Sequence, residues 1–334
     1  MAVATPDLLS MTDAPLVSAI IPTHNGAKWI GETLSSVFSQ TYKHLEIVVI
    51  DDGSTDSTPE LLGFFGERIK VTRTSAGNIG AARNAGISQS TGEYVAFLDH
   101  DDLWAHDKIA KQVAHLNQHS ELAALYTDAD EFDENGTDAK SFFGKFPALA
   151  ANVDAASMIV DQAVPLMSTL MLRRSFIDAH KIRFHEAASG VDEISLLLEV
   201  YYHGGKMGFL PERLAQRRLH SQNLSKDHLN RFSKRILVYS DLLRRLPEDD
   251  GPFCSVIRRG LRHASFRVGE WYWGDLRLPE ARRYLAAAVA PDRIGFRSAV
   301  LWPLTYLPIP VIRLLRAAKS AVTRGVASTH PTPT

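Results

Sequence analysis

The 334-residue chain is 45 % apolar and 22 % charged, the balance of a soluble globular protein with room for one large domain or two modest ones. Its formal net charge of −1 hides a gradient: residues 254–334 hold 13 Lys/Arg against 4 Asp/Glu, a net of +9, and the remainder nets −10. Cys254 is the only cysteine, which excludes an intramolecular disulfide and a cysteine-rich zinc site.

Residues 1–15 are polar and contain Asp7 and Asp13. They lack the basic start and apolar stretch of a secretory leader, so the expectation is a flexible N-terminus on a cytoplasmic chain. Residues 16–22 (LVSAIIP) are β-rich and almost wholly apolar, as a parallel strand covered on both faces requires. The turn Thr23-His24-Asn25-Gly26 follows. Ile30, Leu34, Val37 and Phe38 then recur at helical spacing and predict an amphipathic helix ending near Gln40. A second buried strand, 45–50, runs into Asp51-Asp52-Gly53-Ser54-Thr55-Asp56, with a helix to about Phe65. A short strand over 69–72 precedes an Ala- and Gly-rich helix over 77–88. The fourth strand, 94–98, leads into Asp99-His100-Asp101-Asp102. A helix over 105–119 and a fifth strand over 122–127 complete the series.

Strands alternating with helices argue an α/β domain around a mostly parallel, Rossmann-like sheet with flanking helices. Ligands of such sheets bind beyond the carboxyl ends of the strands. The polar clusters 23–25, 51–52 and 99–102 all fall there. Three carboxylates in four residues repel one another unless a cation or donor groups compensate. On its own, this last cluster fits either of two readings: a seat for a hard divalent metal carrying a phosphate, or an Asp-rich turn capping the next helix.

From 128 to 165 the periodicity weakens, with a hairpin-type turn at 133–136. A strand over 168–172 and a helix over 189–202 follow. Gly204-Gly205 ends that helix, 207–210 is strand-like, and 213–220 is extended and basic. Beyond Phe253 the pattern is helical. Trp271, Tyr272, Gly274, Ala281, Tyr284 and Leu285 suggest one antiparallel helix pair, similar to a single tetratricopeptide-type hairpin. Residues 298–312 carry no charge. They are too few to span a bilayer, and Pro303, Pro308 and Pro310 interrupt them. Two readings fit: peripheral membrane contact through 296–325, at the inner face of the membrane, or packing on the core. Residues 328–334 read as a disordered tail.

Six segments stand in order: VSAIIPTHN (17–25), VVIDDGSTD (48–56), GAARNAGI (80–87), GEYVAFLDHDD (92–102), DEISLLLEVYYHGGK (192–206) and RRLHSQNLS (217–225). The set resembles the family 2 glycosyltransferases, which have the nucleotide-diphospho-sugar-binding GT-A fold. The resemblance implies a catalytic domain over 16–227, with a donor half at about 16–127 and an acceptor half at about 128–227. A basic helical extension would occupy 228–327.

It also implies the site. Asp52 would accept a hydrogen bond from a base ring N–H, with Asp51 supporting the loop. Thr23 and Asn25 would line the same pocket, and Arg83 and Asn84 would lie near base and phosphates. Asp99 and Asp101 match the family's DxD pattern: Asp99 for ribose and metal, Asp101 for Mn²⁺ or Mg²⁺ on the diphosphate. His220 would stand by that metal, with Asn223 and Ser225 on a loop closing over the donor. The family takes its catalytic base from a Glu-Asp pair at a helix start. Here the order is reversed, Asp192-Glu193, so Glu193 is the first choice of base and Asp192 the alternative.

The implied activity is inverting transfer of a sugar, from a nucleotide donor with UDP favoured, to a saccharide or lipid-linked acceptor in bacterial surface polysaccharide biosynthesis, with no nucleic-acid partner. Two rivals stand beside it. A sugar-phosphate nucleotidyltransferase needs a Gly-rich basic loop after the first strand, where Thr23-His24-Asn25-Gly26-Ala27-Lys28 is found instead. A non-catalytic nucleotide-sugar-binding protein is left open by the reversed acids. Gly77-Asn78-Ile79-Gly80 lacks the full dinucleotide fingerprint and follows the third strand rather than the first.

Overall fold

The computed structural model describes residues 14–133, 140–145, 156, 158, 164–221, 227–246, 251–290 and 293–315. Most of the turn expected at 133–136, Asn223, Ser225 and the expected terminal tails lie outside the described residues. The chain divides into two compact units, Met1–Lys226 and Asp227–Thr334.

The first unit is α/β. Its elements are β1 (Val17–Thr23), α1 (Ile30–Phe38), β2 (Leu45–Asp52), α2 (Thr58–Gly63), β3 (Lys70–Thr74), α3 (Ile79–Gln89), β4 (Tyr94–Phe97), β5 (Leu103–Trp104) and α4 (Lys108–Gln118). They continue with β6 (Leu122–Asp133), β7 (Lys140–Ser141), β8 (Met171–Arg173), α5 (Arg174–Ala179), α6 (Asp192–Tyr202) and β9 (Lys206–Leu219). One sheet runs in the order β3-β2-β1-β4-β8-β6-β9-β5, with β7 on β6. β1 pairs in parallel with β2 and β4, and β2 with β3. Every residue of β1 is buried, which accounts for its unbroken apolar run.

Antiparallel pairing enters at β8, which sits between β4 and β6. β6 and β9 are long parallel partners whose register shifts near Asp128. The Asp128 carboxylate pins that irregularity by accepting from Ala129 N (2.8 Å), Phe143 N (3.0 Å) and Ser141 Oγ (2.6 Å). The stretches expected as a strand over 207–210 and an extended run over 213–220 are therefore one strand, and the fifth strand runs on to Asp133. The helix expected from Ala105 starts at Lys108, because Leu103 and Trp104 pair with Gln216 and Ala215 of β9. That short pairing sets the 99–102 loop beside Arg218 and His220.

α3 owes its small residues to a close approach. A methyl group added to Gly86 would stand 2.3 Å from Ile20 Cγ2 of β1. The helix thereby lies tight on the sheet and carries Arg83 to the strand ends.

The second unit is helical: α7 (His228–Arg245), α8 (Pro252–Gly274), α9 (Leu278–Ala287) and α10 (Arg293–Leu304). α8 and α9 meet where Gly269 leaves room for Leu285, whose Cγ would be 2.9 Å from an added methyl. Phe266, Ala281, Leu285 and Ala288 form the small core there, with Leu301 and Trp302 partly buried against it. Among the described residues, no helix is long and apolar enough to cross a membrane.

Candidate active site

β2 ends in two neighbouring acids that are held differently. Asp51 Oδ1 accepts from Ser54 N at 2.9 Å, closing the turn through Gly53, whose φ is +75°. Asp52 Oδ1 accepts from Thr74 Oγ1 (2.8 Å) and Ala76 N (2.7 Å), which fixes the carboxylate beside β3. Its Oδ2 has no hydrogen bond among the described residues. Asn25 brackets the turns after β1 and β2. Its N–H donates to Ser54 Oγ (2.9 Å), and its Oδ1 accepts from Thr55 N (2.8 Å) and Asp56 N (3.3 Å). The Thr23 hydroxyl is buried with no hydrogen-bond partner among the described residues.

Arg83 stands between two acids from distant parts of the chain. Its side chain is 3 % exposed, and its Nη2 donates to Asp99 Oδ1 at 2.6 Å. Its Nη1 donates to Asp192 Oδ2. Burial works to lower the Arg83 pKa, but Asp192, Asp99 and Glu193 outweigh it and push the pKa up, so the guanidinium stays charged. Asp192, fully buried at the start of α6, also accepts from Gly190 N at 2.9 Å through Oδ1. Both of its oxygens are therefore in use. Glu193, half-buried, is the neighbouring acid on the same helix end.

Asn84 serves the approach to α6. Its Nδ2 donates to Phe184 O (3.0 Å) and Glu186 Oε1 (3.2 Å), and its Oδ1 accepts from Phe184 N (2.9 Å). Asn84, which the motif suggested for base and phosphates, thus also holds this approach to α6.

Beyond β4 the three aspartates divide. Asp102 caps no helix, since α4 begins only at Lys108. Its carboxyl is buried, with Oδ2 accepting from Ser168 Oγ (2.6 Å) and Oδ1 from Arg218 N (3.0 Å). Burial pushes its pKa well up, and the charges of Asp101 and Asp99 add to the effect. Asp101 Oδ2 lies 2.7 Å from His220 Nε2, bringing together two residues that the sequence separates widely. The His220 ring lies over Trp29, centroids 4.3 Å apart at 30°. Arg218 Nε donates to Asp101 O at 3.0 Å, and Nη2 to Glu32 Oε2 at 2.6 Å.

Trp29, Ser168 and Arg218 are site residues that sequence reasoning missed. A tryptophan at the start of an apolar-periodic helix reads as core, and nothing local to Ser168 or Arg218 points to Asp102.

Acids at the ends of β2, β4 and the start of α6, one buried arginine among them, and an imidazole on a carboxylate form a polar floor. Such a floor can hold a phosphorylated ligand and, beside it, a proton acceptor. Residues 18–161 match the family described as Glycosyl transferase family 2. This part of the chain belongs to that family.

Rickettsial glycosyltransferases match at 30–43 % identity over 32–71 % of this chain, and the chain spans only 34–39 % of their length. The chain is 38 % identical over 133 residues to the putative teichuronic acid biosynthesis glycosyltransferase TuaG of Bacillus subtilis, covering 38 % of this chain and 52 % of TuaG. Among solved structures, S. aureus TarS 1–349 in complex with UDP-GlcNAc is similar with a TM-score of 0.62 at 19 % identity, over 84 % of this chain and 82 % of that one. Mannosyltransferase PcManGT from Pyrobaculum calidifontis, in complex with GDP-Man and Mn²⁺, gives 0.57 at 20 % identity, over 94 % and 82 %. At these identities the likeness establishes the fold alone, which is GT-A.

Proposed function

We propose that the chain is an inverting, metal-dependent glycosyltransferase that moves a sugar from a nucleotide diphosphate, UDP favoured, to a hydroxyl of a saccharide or lipid-linked acceptor. Its catalytic domain is 16–227. The observation that carries this reading is the division of labour at α6. Asp192 is buried with both oxygens engaged, one by the arginine that also holds Asp99, and Glu193 stands beside it. The bacterial surface polysaccharide setting rests on the likeness to TuaG.

In this reading Asp52 Oδ2 accepts the base N–H, and Thr23 and Asn25 line that pocket. Arg83 keeps Asp99 oriented toward the ribose. The residues suit a divalent ion shared with the ligand: Asp101 and His220 supply a carboxylate and an imidazole already in contact, and three aspartates stand within four residues there. Among the described residues no three His, Cys, Asp or Glu side chains gather closely enough to hold an ion alone. Asp101, His220 and, on reorientation, Asp99 would hold Mn²⁺ or Mg²⁺ together with diphosphate oxygens. Bound there, the ion offsets charge on the departing diphosphate.

Glu193 takes the acceptor hydroxyl proton onto its carboxylate while that oxygen bonds to the anomeric carbon. The bond to the diphosphate oxygen breaks on the opposite face, and the sugar inverts. Asp192 does not act as base in this scheme. It positions the helix end by holding Arg83.

Turnover of UDP- and GDP-sugars with Mn²⁺, read as release of nucleoside diphosphate, tests the proposal. Glu193→Gln should lower kcat about 10²- to 10⁴-fold with little change in thermal stability. Asp192→Asn should lower thermal stability as well. Wild-type turnover in Glu193→Gln would overturn the assignment of the base. Release of pyrophosphate would point to a nucleotidyltransferase instead.

A further inference from the structure

Residues 296–315 bury Ile312 and partly bury Leu301 and Trp302 against the small core, yet leave a run of other apolar side chains exposed. The inward positions include Ser298 and Thr305, both buried. Ser298 Oγ donates to Leu285 O at 2.5 Å and Thr305 Oγ1 to Trp302 O at 2.6 Å. Beside the exposed Arg297 and Arg313, several outward positions are apolar: Phe296 is 70 % exposed, Val300 51 %, Tyr306 60 % and Leu314 71 %. Phe296 and Val300 stand one turn apart on α10. Water is a poor partner for such a face, and isolated exposed apolar residues do not explain a run of them.

Charge indicates the occupant. Residues 293–334 contain six Lys/Arg and no Asp or Glu. Arg313 is exposed next to Leu314. The Arg282 guanidinium lies 3.7 Å from the centre of the Tyr306 ring and donates to Thr305 O at 3.0 Å, so a cation stands at the rim of the apolar face. A second copy of the chain would bring the same positive charge against itself. An anionic lipid surface complements both the charge and the apolar residues.

We propose that the C-terminal unit docks on the surface of an anionic bilayer through the apolar, arginine-rimmed outer face of residues 296–315. The chain then lies on the membrane and does not cross it. Phe296, Val300 and Leu314 enter the boundary between headgroups and acyl chains, while the arginines meet lipid phosphates. The proposal does not rest on the transferase reading, because binding needs no nucleotide sugar.

Co-sedimentation of the full chain with phosphatidylglycerol vesicles, against phosphatidylcholine vesicles, tests it. The wild type should pellet with the anionic vesicles, and weaken with phosphatidylcholine and at about 0.5 M salt. Phe296→Ser with Leu314→Ser should lower partitioning to phosphatidylglycerol at least about tenfold. Both side chains already face water, so circular dichroism and the thermal midpoint should hold. Three results would overturn the proposal: a wild type that stays in solution, a variant that binds as well as the wild type, or a lipid-free dimer that the same substitutions dissociate in sedimentation velocity. The last would make the face a protein interface.

Discussion

The two ends of the β1–β2–β4 strands hold carboxylates in opposite conditions. At the amino end, Glu46 Oε1 accepts from Ser18 Oγ (2.7 Å), Thr91 N (2.6 Å) and Gly92 N (3.1 Å), and Oε2 takes Lys70 Nζ at 2.6 Å. Burial alone would raise its pKa. Lys70, the Thr91 N–H and the Ser18 and Thr91 hydroxyls outweigh it and hold the pKa at about 2. At the carboxyl end the matching is incomplete. Asp102 is pushed up by burial and its neighbours, and among the described residues the Thr23 hydroxyl and Arg83 Nε are buried without a hydrogen-bond partner. A fully matched carboxylate works as a clamp between strands. An imperfectly matched set carries unspent polar capacity, and it lies where open α/β sheets receive ligands.

Removing the arginine that bridges Asp99 and Asp192 should give the largest effect. Arg83→Met leaves Asp99 and Asp192 with no partner for their charges, and Asp192 is buried. The expected loss is about 3–5 kcal/mol of unfolding free energy by urea titration, with turnover falling too. Adding Asp192→Asn should recover part of that stability by removing a stranded charge. An Arg83→Met protein as stable as the wild type would erase the distinction between the two ends.

The clamp should respond differently. Glu46→Gln should cost about 2 kcal/mol at pH 7 and leave turnover unchanged. The sign follows from the lowered pKa: the carboxylate stabilises the fold above its ordinary value of 4.5 and loses that contribution as pH falls toward about 2. Denaturation of the two proteins across that window should show the gap closing. A gap independent of pH would mean that packing, not the charged hydrogen bonds, makes the clamp.

The strands at both ends were legible because buried parallel strands read as unbroken apolar runs, and their polar ends mark the sheet edge. The strand expected over 168–172 is β8, Met171–Arg173, preceded by a turn at Met167–Thr169, but three residues hold too little pattern to reveal its antiparallel place between β4 and β6. The length of β6 and β9 was hidden by the irregularity at Asp128, which breaks the alternation. The acids of the site could be named from motifs, but their conditions could not. What separates Asp192 from Glu193 is a contact with Arg83, 109 residues away, and what separates Asp102 from Asp101 is Ser168 and Arg218.

The smallest effect concerns how the crowded end keeps the His220 imidazole in place. His220 is held by the Asp101 carboxylate at 2.7 Å and by the Trp29 ring, centroids 4.3 Å apart, and Lys28 Nζ lies 4.9 Å from the centre of that ring. Leucine at position 29 would keep apolar bulk but remove the flat surface, so the imidazole would turn about its bond to Asp101. Supporting contacts of this kind tune affinity more than chemistry, by about tenfold or more. Trp29→Leu should therefore raise KM for the nucleotide sugar about tenfold and leave kcat within about threefold, and Trp29→Phe should restore most of the affinity. An unchanged KM in Trp29→Leu would show that the Trp29 ring does not orient His220. The carboxyl end would then need one matched contact fewer than the geometry suggests.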